Sequence, residues 1–486
     1  MYSKKRSSLL LTTYLLLSCV TPSQAQDVET NTSPQNPSSA QVQSTDKFNS
    51  SGNPLLFPTK TQEVEIEEQQ PVTLNQAIEI ALNNNKDLEV ARLQLDRSRD
   101  SLNASLATQL PTLNGQLEFN QRGDDSPSPG NEDSIMRDRS LLLGQIELSY
   151  NVYDGGRRNA NIARSSREVY LNQLEVERIS EDVRFQATNA YYELQNADAQ
   201  VAIAQAAIED FSQTLRDAQL LEQAGLGTRF DVLQAEVDLA NANQALTRAI
   251  AEQRNARRNL AQVLSVGQNV ELTAADEIQE NGEWPYDLEQ SIVMAYKNRA
   301  ELQQLLVQRE INEQDREIAL AATRPTVNLF ANYNFTNTFT DTFDNTGYAN
   351  GYNVGARLNW EIFDGGEASA RADVETRNIE IDETNFAKQR DEIRLNIETA
   401  YNNMIANKEN ISTTETAVTT AVESLRLARL RFQAGVGTQT DVINAQRSLT
   451  EARGNFLQAI IGYNQSLNEL QRAVSNLPDN KLFEVR

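Results

Sequence analysis

AGLGTRFDVLQA (Ala224–Ala235) returns 210 residues later as AGVGTQTDVINA (Ala434–Ala445). At the same offset of 210, YDGG (Tyr153–Gly156) returns as FDGG (Phe363–Gly366), and Arg184 and Tyr191 meet Arg394 and Tyr401. Upstream, Leu74, Leu88 and Pro111 meet Leu288, Leu302 and Pro325 at an offset of 214. The step from 214 to 210 places a length difference of four residues between the Pro and the Asp-Gly-Gly. A repeat whose length change is confined to one loop-like interval is two copies of one structural unit. Function must therefore come from something with pseudo-symmetric halves.

Each half reads in the same order. In the first, Thr73 is placed to cap a helix running to about Thr108, and Pro111 ends it. Strand alternation follows. Leu113, Gly115, Leu117 and Phe119 oppose Gln116, Glu118 and Asn120. After a polar loop, Leu142, Gly144, Ile146, Leu148, Tyr150 and Val152 oppose Gln145, Glu147, Ser149 and Asn151. The second half repeats the pattern: Val327, Leu329, Ala331, Tyr333 and Phe335 oppose Asn328, Asn332 and Asn334. Then Val354, Ala356, Leu358, Trp360 and Ile362 oppose Arg357, Asn359 and Glu361. Each run is ~10 residues, enough to cross a bilayer as a tilted strand. A soluble sheet with one wet face gives the same alternation in any single strand. The leader peptide described below, the aromatics near the strand ends and the scarcity of other core strands favour the membrane reading.

The remainder is long helix. No Pro or Gly interrupts 157–223 or 367–433, and each stretch would extend about 100 Å at ~1.5 Å per residue. Seams spaced by three and four, Ile208, Phe211, Leu215 and Ala218 and then Val418, Ala421, Leu425, Ala428 and Phe432, predict packed coils. Between the copies, 265–285 breaks the periodicity and reads as a connecting segment on the outside of the helices.

Composition removes most reaction chemistry. The chain has 486 residues, a net charge of −24, one Cys and no His. That excludes a His general base, a Ser-His-Asp triad and a Cys/His zinc site. Paired-carboxylate chemistry stays open in principle, but 68 acidic residues make chance pairs common. The acidic balance argues against nucleic acid, which needs clustered Lys and Arg. The reading calls for no cofactor and no metal.

Lys4, Lys5 and Arg6, the apolar run from Leu9 to Val20 and the small-x-small Ser23-Gln24-Ala25 form a signal peptide. Its removal takes the charge from −24 to −27. Cys19, in Leu16-Leu17-Ser18-Cys19, offers an alternative as an acylated lipoprotein cysteine. Residues 26–71, rich in Ser, Gln, Asn, Pro and Thr, read as a disordered linker. The chain thus divides into signal peptide 1–25, linker 26–71, repeat 72–264, connecting segment 265–285, repeat 286–476 and tail 477–486.

The duplication, the Pro-strand-loop-strand-[YF]-D-G-G unit and the A-G-[LV]-G-T-x-x-D-V-[LI] turn resemble the TolC-type outer-membrane efflux factors over roughly residues 72 to 476. The resemblance implies a mainly α chain with a membrane β-barrel. Long coiled-coil helices form a periplasmic tunnel, and four strands per protomer build one twelve-stranded trimeric barrel. Strand arithmetic alone leaves the copy number open, since four strands cannot close and single-chain barrels start at ~8.

The resemblance further implies that the turns Gly225, Leu226, Gly227, Thr228 and Gly435, Val436, Gly437, Thr438 are periplasmic tips that dock a membrane-fusion adaptor linked to an inner-membrane pump. Thr228 with Asp231 and Thr438 with Asp441 also have the spacing of helix-capping boxes. Capping does not explain the apolar Leu226 and Val436. Asp441 falls on the family's first acidic gate ring and Asp231 on its acidic network position, where it could pair with Arg229 or a neighbouring chain. Asn444 and Gln439 stand where the family has a second acidic ring and a basic partner, so the chain departs from the pattern there. The implied function is a passive exit duct for an efflux pump or type I secretion system, in the outer membrane and in contact with its lipid. The rival readings are a periplasmic coiled-coil structural or tethering protein, or a carboxylate enzyme.

Overall fold

The Pro- and Gly-free stretches are two helices of 67 residues each, Arg157–Gln223 and Glu367–Gln433. The computed structural model describes residues 55, 57, 59–65, 68–127, 134–267, 269–341 and 346–475. The signal-peptide reading, most of the linker reading, the 477–486 tail and the loop tips at 128–133 and 342–345 lie outside the described residues. In chain order the elements are β1 (Glu68–Val72), α1 (Leu74–Asn84), α2 (Lys86–Ala107), β2 (Thr112–Pro127), β3 (Ser134–Asp154), α3 (Arg157–Gln223) and α4 (Arg229–Val263). They continue as β4 (Val270–Ala274), α5 (Leu288–Asn298), α6 (Ala300–Leu320), β5 (Thr326–Asp341), β6 (Gly347–Asn359), α7 (Glu367–Gln433) and α8 (Gln439–Val474).

Thr73 caps α1 through a box with Gln76. The helix then stops sooner than the periodicity predicts. Asn85 is extended, with φ −60° and ψ 129°, and its Oδ1 accepts from the N–H groups of Asp87 (2.9 Å) and Leu88 (3.2 Å). A side chain that can cap a new helix competes with continuing the old one. The second half breaks at Arg299, also extended.

Four strands form one antiparallel sheet in the order β2-β3-β5-β6. The register puts the alternation of all four strands in phase. Leu113, Leu148, Ala331 and Val354 share one row, and Gly115, Ile146, Tyr333 and Tyr352 the next on the same face. The opposite face carries Asn114, Glu147, Asn332 and Asn353, followed by Gln116, Gln145 and Asn334. Gly144 lies under the Phe335 ring, where a Cβ would come within 2.0 Å of a ring carbon. β6 ends at Asn359, opposite Thr326, rather than running on to Ile362. Pro325 precedes Thr326 and has no N–H to offer. Trp360 instead donates from its indole to the Thr323 carbonyl at 3.1 Å.

Each Asp-Gly-Gly turns a strand into a long helix. The glycines have φ of 71° and 91° in the first copy and 72° and 89° in the second, left-handed values that other residues adopt at a cost. Asp154 Oδ2 accepts from the Arg158 N–H (2.9 Å), and Asp364 accepts from Ala368 (2.7 Å) and Gly366 (2.9 Å). Those N–H groups, Ala368 first, hold the Asp364 carboxyl below its usual range.

Near the middle of the long helices lie two counterpart cores. Leu88, Val183, Ala187, Ala190 and Tyr191 occupy the first, and Leu302, Ile393, Ile397 and Ala400 the second. The first also holds a pairing that the linker reading did not anticipate. Glu68–Val72, at the end of 26–71, runs parallel to Val270–Ala274 as a two-stranded sheet. Asp276 joins it to the helices, taking the Leu74 N–H at 2.7 Å and the Tyr191 hydroxyl at 2.8 Å. The connecting segment then lies against α8, where Tyr463 donates to the Gly282 carbonyl (3.1 Å) and the Asn281 N–H to Asn464 (2.9 Å).

Candidate functional site

Both Gly-rich turns are built alike from backbone chemistry. At the end of α3, the Leu226 N–H reaches back to the Leu221 carbonyl (2.9 Å) and the Gly225 N–H to Glu222 (3.0 Å). At the end of α7, Val436 bonds to Arg431 and Gly435 to Phe432, each at 3.0 Å. This paired closure needs a left-handed residue, and Gly225 and Gly435 have φ of 71° and 72°. Gly227 and Gly437 are required for a different reason. A Cβ at Gly227 would meet Leu221 Cβ at 3.0 Å, and one at Gly437 would meet Arg431 Cβ at 3.1 Å.

Thr228 and Thr438 then start α4 and α8. The Asp231 N–H donates to Thr228 Oγ1 (3.2 Å), and Asp231 Oδ2 accepts from the Thr228 N–H (3.0 Å) and hydroxyl (2.6 Å). Asp441 repeats the arrangement, accepting from the Thr438 N–H at 2.9 Å. That backbone bond, with the Thr438 side chain, holds the Asp441 carboxyl below its usual range. Both predicted gate carboxylates are thus helix caps within the protomer. Arg229 does not pair with Asp231; its nearest acidic partner is Glu222, at 3.8 Å.

The apolar tip residues stand in solvent, Leu226 at 79% and Val436 at 69% exposure. The closing turn usually buries such a residue against the helix it follows, so this exposure is not needed by the turn. The structure adds residues that the sequence reading passed over. Phe230, Leu233 and Val237 of α4 are exposed at helical spacing below Leu226. Ile443, the counterpart of Leu233, is buried with Ala207, Phe211 and Ala242.

A polar junction joins the two helical pairs above the tips. Arg429 of α7 meets Asp210 of α3 at 2.7 Å, and Arg447 of α8 is paired with buried Asp238 of α4. Gln446 Nε2 donates to Thr214 Oγ1 (2.7 Å) and the Asp210 carbonyl (3.1 Å), and Gln439 Nε2 to the Asp231 carbonyl (3.2 Å). The buried Oε1 atoms of Gln439 and Gln446 have no hydrogen-bond partner among the described residues. Such groups cost about 1–3 kcal/mol each, so this junction is held less firmly than an apolar one. Farther along, Arg472 bridges Asp182 (2.8 Å) and Glu301 (3.0 Å). Burial pushes the Glu301 carboxyl up, but Arg299 and Arg472 overcome it and bring it down to about 2.

Among the described residues no cluster of acidic, His or Cys side chains could hold a metal, and no helix is long and apolar enough to cross a membrane. The surface able to meet lipid is the sheet face with Leu113, Leu117 and Phe119, exposed at 70%, 68% and 61%.

Residues 77–266 and 291–476 match the family described as Outer membrane efflux protein. The chain is 24% identical over 84% of its length to a probable efflux pump outer membrane protein, TtgC, of Pseudomonas putida, covering 84% of that protein. It is 22% identical to the outer membrane protein TolC of Vibrio cholerae, over 83% of this chain and 91% of that one. The CmeC outer membrane channel of Campylobacter jejuni shares the fold with a TM-score of 0.71 at 15% identity, over 88% of this chain and 94% of that one.

Proposed function

The chain belongs to the outer membrane efflux protein family, and from that premise we propose that three copies close one twelve-stranded barrel whose helices reach into the periplasm. The protein is an outer-membrane efflux channel working with an efflux pump, and it carries no catalysis. The observation that carries the assembly is the four-stranded sheet. Among the described residues its outer strands β2 and β6 each have one unpaired edge, and the face from Leu113 to Phe119 is mostly apolar, with Asn350 and Asn337 entering only the Leu117 and Phe119 rows. An open edge has no place in lipid, where every backbone group must be paired. Further copies supply the missing neighbours.

Energy comes from the inner-membrane pump or type I secretion system, reached through a periplasmic membrane-fusion adaptor. Gly225, Leu226, Gly227 and Thr228 form one docking tip, and Gly435, Val436, Gly437 and Thr438 the other. What supports this is the pair of exposed apolar knobs held out by rigid turns. Asp231 and Asp441 are the gate carboxylates. Each cap uses Oδ2, and symmetry brings equivalent carboxylates around the tunnel axis, where their repulsion favours cations.

The test is Leu226→Asp with Val436→Asp in cells lacking the native protein. Export is lost while the heat-resistant oligomer remains in the outer membrane. Normal export by that variant would remove the docking assignment.

A further inference from the structure

The two strand hairpins repeat in register as well as in sequence. Asn114 of β2 lies opposite Glu147 of β3, and Asn328 of β5 lies opposite Arg357 of β6. The asparagines are 214 apart and the charged residues 210, the two offsets of the repeat. One place in the hairpin thus holds a carboxylate in the first half and a guanidinium in the second.

The second half is rebuilt around that change. Phe330 stands between Asn328 and Asn332 on the polar face of β5, where an aromatic ring breaks the alternation. Opposite it lies Gly355, where a Cβ would come within 2.8 Å of the ring. The ring occupies the space that this glycine leaves, and the Arg357 guanidinium lies over it, 5.1 Å from its centroid. At the repeat offsets, Phe330 and Gly355 correspond to Gln116 and Gln145. Gln145 Nε2 donates to Glu147 Oε2 at 3.3 Å. Each half therefore supports its own charge, with an amide donor under the carboxylate and a ring face under the guanidinium. Among the described residues Arg357 is exposed and enters no ion pair.

From the Asn328 row to the Thr338 row, this face of the sheet carries three charged side chains, Glu118, Glu147 and Arg357. Two carboxylates against one guanidinium leave one net negative charge per chain. A glutamate in both halves would leave three. We propose that Arg357, held by Phe330, determines which solutes the barrel section of the duct admits. It offsets the wall carboxylates so that solutes bearing carboxylate, sulfonate or phosphate groups pass as well as cationic ones. The inference rests on the twelve-stranded reading above, which turns this face toward the lumen. Twelve strands ~4.8 Å apart and tilted by ~40° make a wall about 75 Å around and about 24 Å across. The screening length is ~30 Å in 0.01 M salt, wider than that lumen, and ~3 Å in 1 M salt. Wall charge therefore sorts ions across the whole lumen in dilute salt and loses its hold in concentrated salt.

The test uses full-length trimers carrying Asp441→Asn, so that the wall rather than the tip carboxylates dominates the selectivity. Reversal potentials in a planar bilayer, with about 0.01 M KCl on one side and about 0.1 M on the other, give the permeability ratio of K+ to Cl−. Adding Arg357→Gln raises that ratio several-fold, and the rise disappears near 1 M KCl. Arg357→Lys leaves the ratio unchanged. Glu147→Gln with Arg357→Gln returns it to the parent value, because both carry one net negative charge per chain. An unchanged ratio in Arg357→Gln, or an equal rise in Arg357→Lys, overturns the assignment while the channel stands. If Arg357→Gln only lowers the temperature at which the trimer dissociates, Arg357 is a tie between strands and the assignment fails. Absence of conductance steps from the parent overturns the channel reading and this inference with it.

Discussion

Arginine at Leu148 should block barrel assembly, whereas arginine at the next residue, Ser149, should be accepted. On β5 the outward rows run from Val327 to Asn337, paired with Leu358 at one end and with Leu142 and Tyr348 at the other. The ten residue-to-residue steps at ~3.4 Å, tilted by ~40°, rise ~26 Å, close to the ~25 Å apolar band of outer-membrane barrels. The midplane falls at Asn332, so the Leu148–Ala331 row is within one residue of it. A midplane arginine costs about 2–4 kcal/mol per copy, or roughly 6–12 kcal/mol in a trimer. Leu358 pairs with Val327, the last row, where the same change costs about 0–1 kcal/mol per copy. Ser149 faces the polar side, where its hydroxyl accepts from Asn328 at 3.0 Å, and losing that bond costs about 1 kcal/mol. The assay is the yield of heat-resistant oligomer in outer-membrane fractions. Equal yields for Leu148→Arg and Ser149→Arg would refute the facing. Equal loss for Leu148→Arg and Leu358→Arg would refute the placement of the midplane.

Gly225→Ala should cost about 1–2 kcal/mol through its left-handed φ, with Gly225→Asn costing less, as read by protease cleavage at the tip. Asp441→Asn should weaken cation selectivity and block by multivalent cations; if it changes only thermal stability, the carboxylate is solely a cap. Glu301, lowered from 4.5 to about 2, contributes stability that is complete above about pH 4.5 and lost as pH falls toward 2. That is about 3 kcal/mol, measured as the difference between native protein and Glu301→Gln in acid denaturation; parallel curves would contradict it.

What the sequence disclosed was local chemistry. The tips were readable because a left-handed glycine followed by a Thr-x-x-Asp cap needs only adjacent residues. The bounds of α3 and α7 followed from the absence of Pro and Gly between the Asp-Gly-Gly and the tip. The break at Asn85 was hidden because Asn is compatible with a helix interior until its side chain captures the next turn's N–H groups. The β1–β4 pair joins residues 202 positions apart, as in Gln69 with Glu271, and five-residue strands carry too little periodicity to announce themselves. The Arg472–Asp182 bridge and the burial of Gln446 arise only when the two halves meet. The stripe Phe230, Leu233 and Val237 had the spacing of a seam, but only the folded protomer shows that none of the described residues covers it.

The most direct test of the channel assignment is the conductance of the purified protein in a planar bilayer. The account predicts discrete, uniform steps from detergent-stable trimers, cation-selective in native protein and less so in Asp441→Asn. Protein that stays soluble without detergent and produces no steps would contradict it.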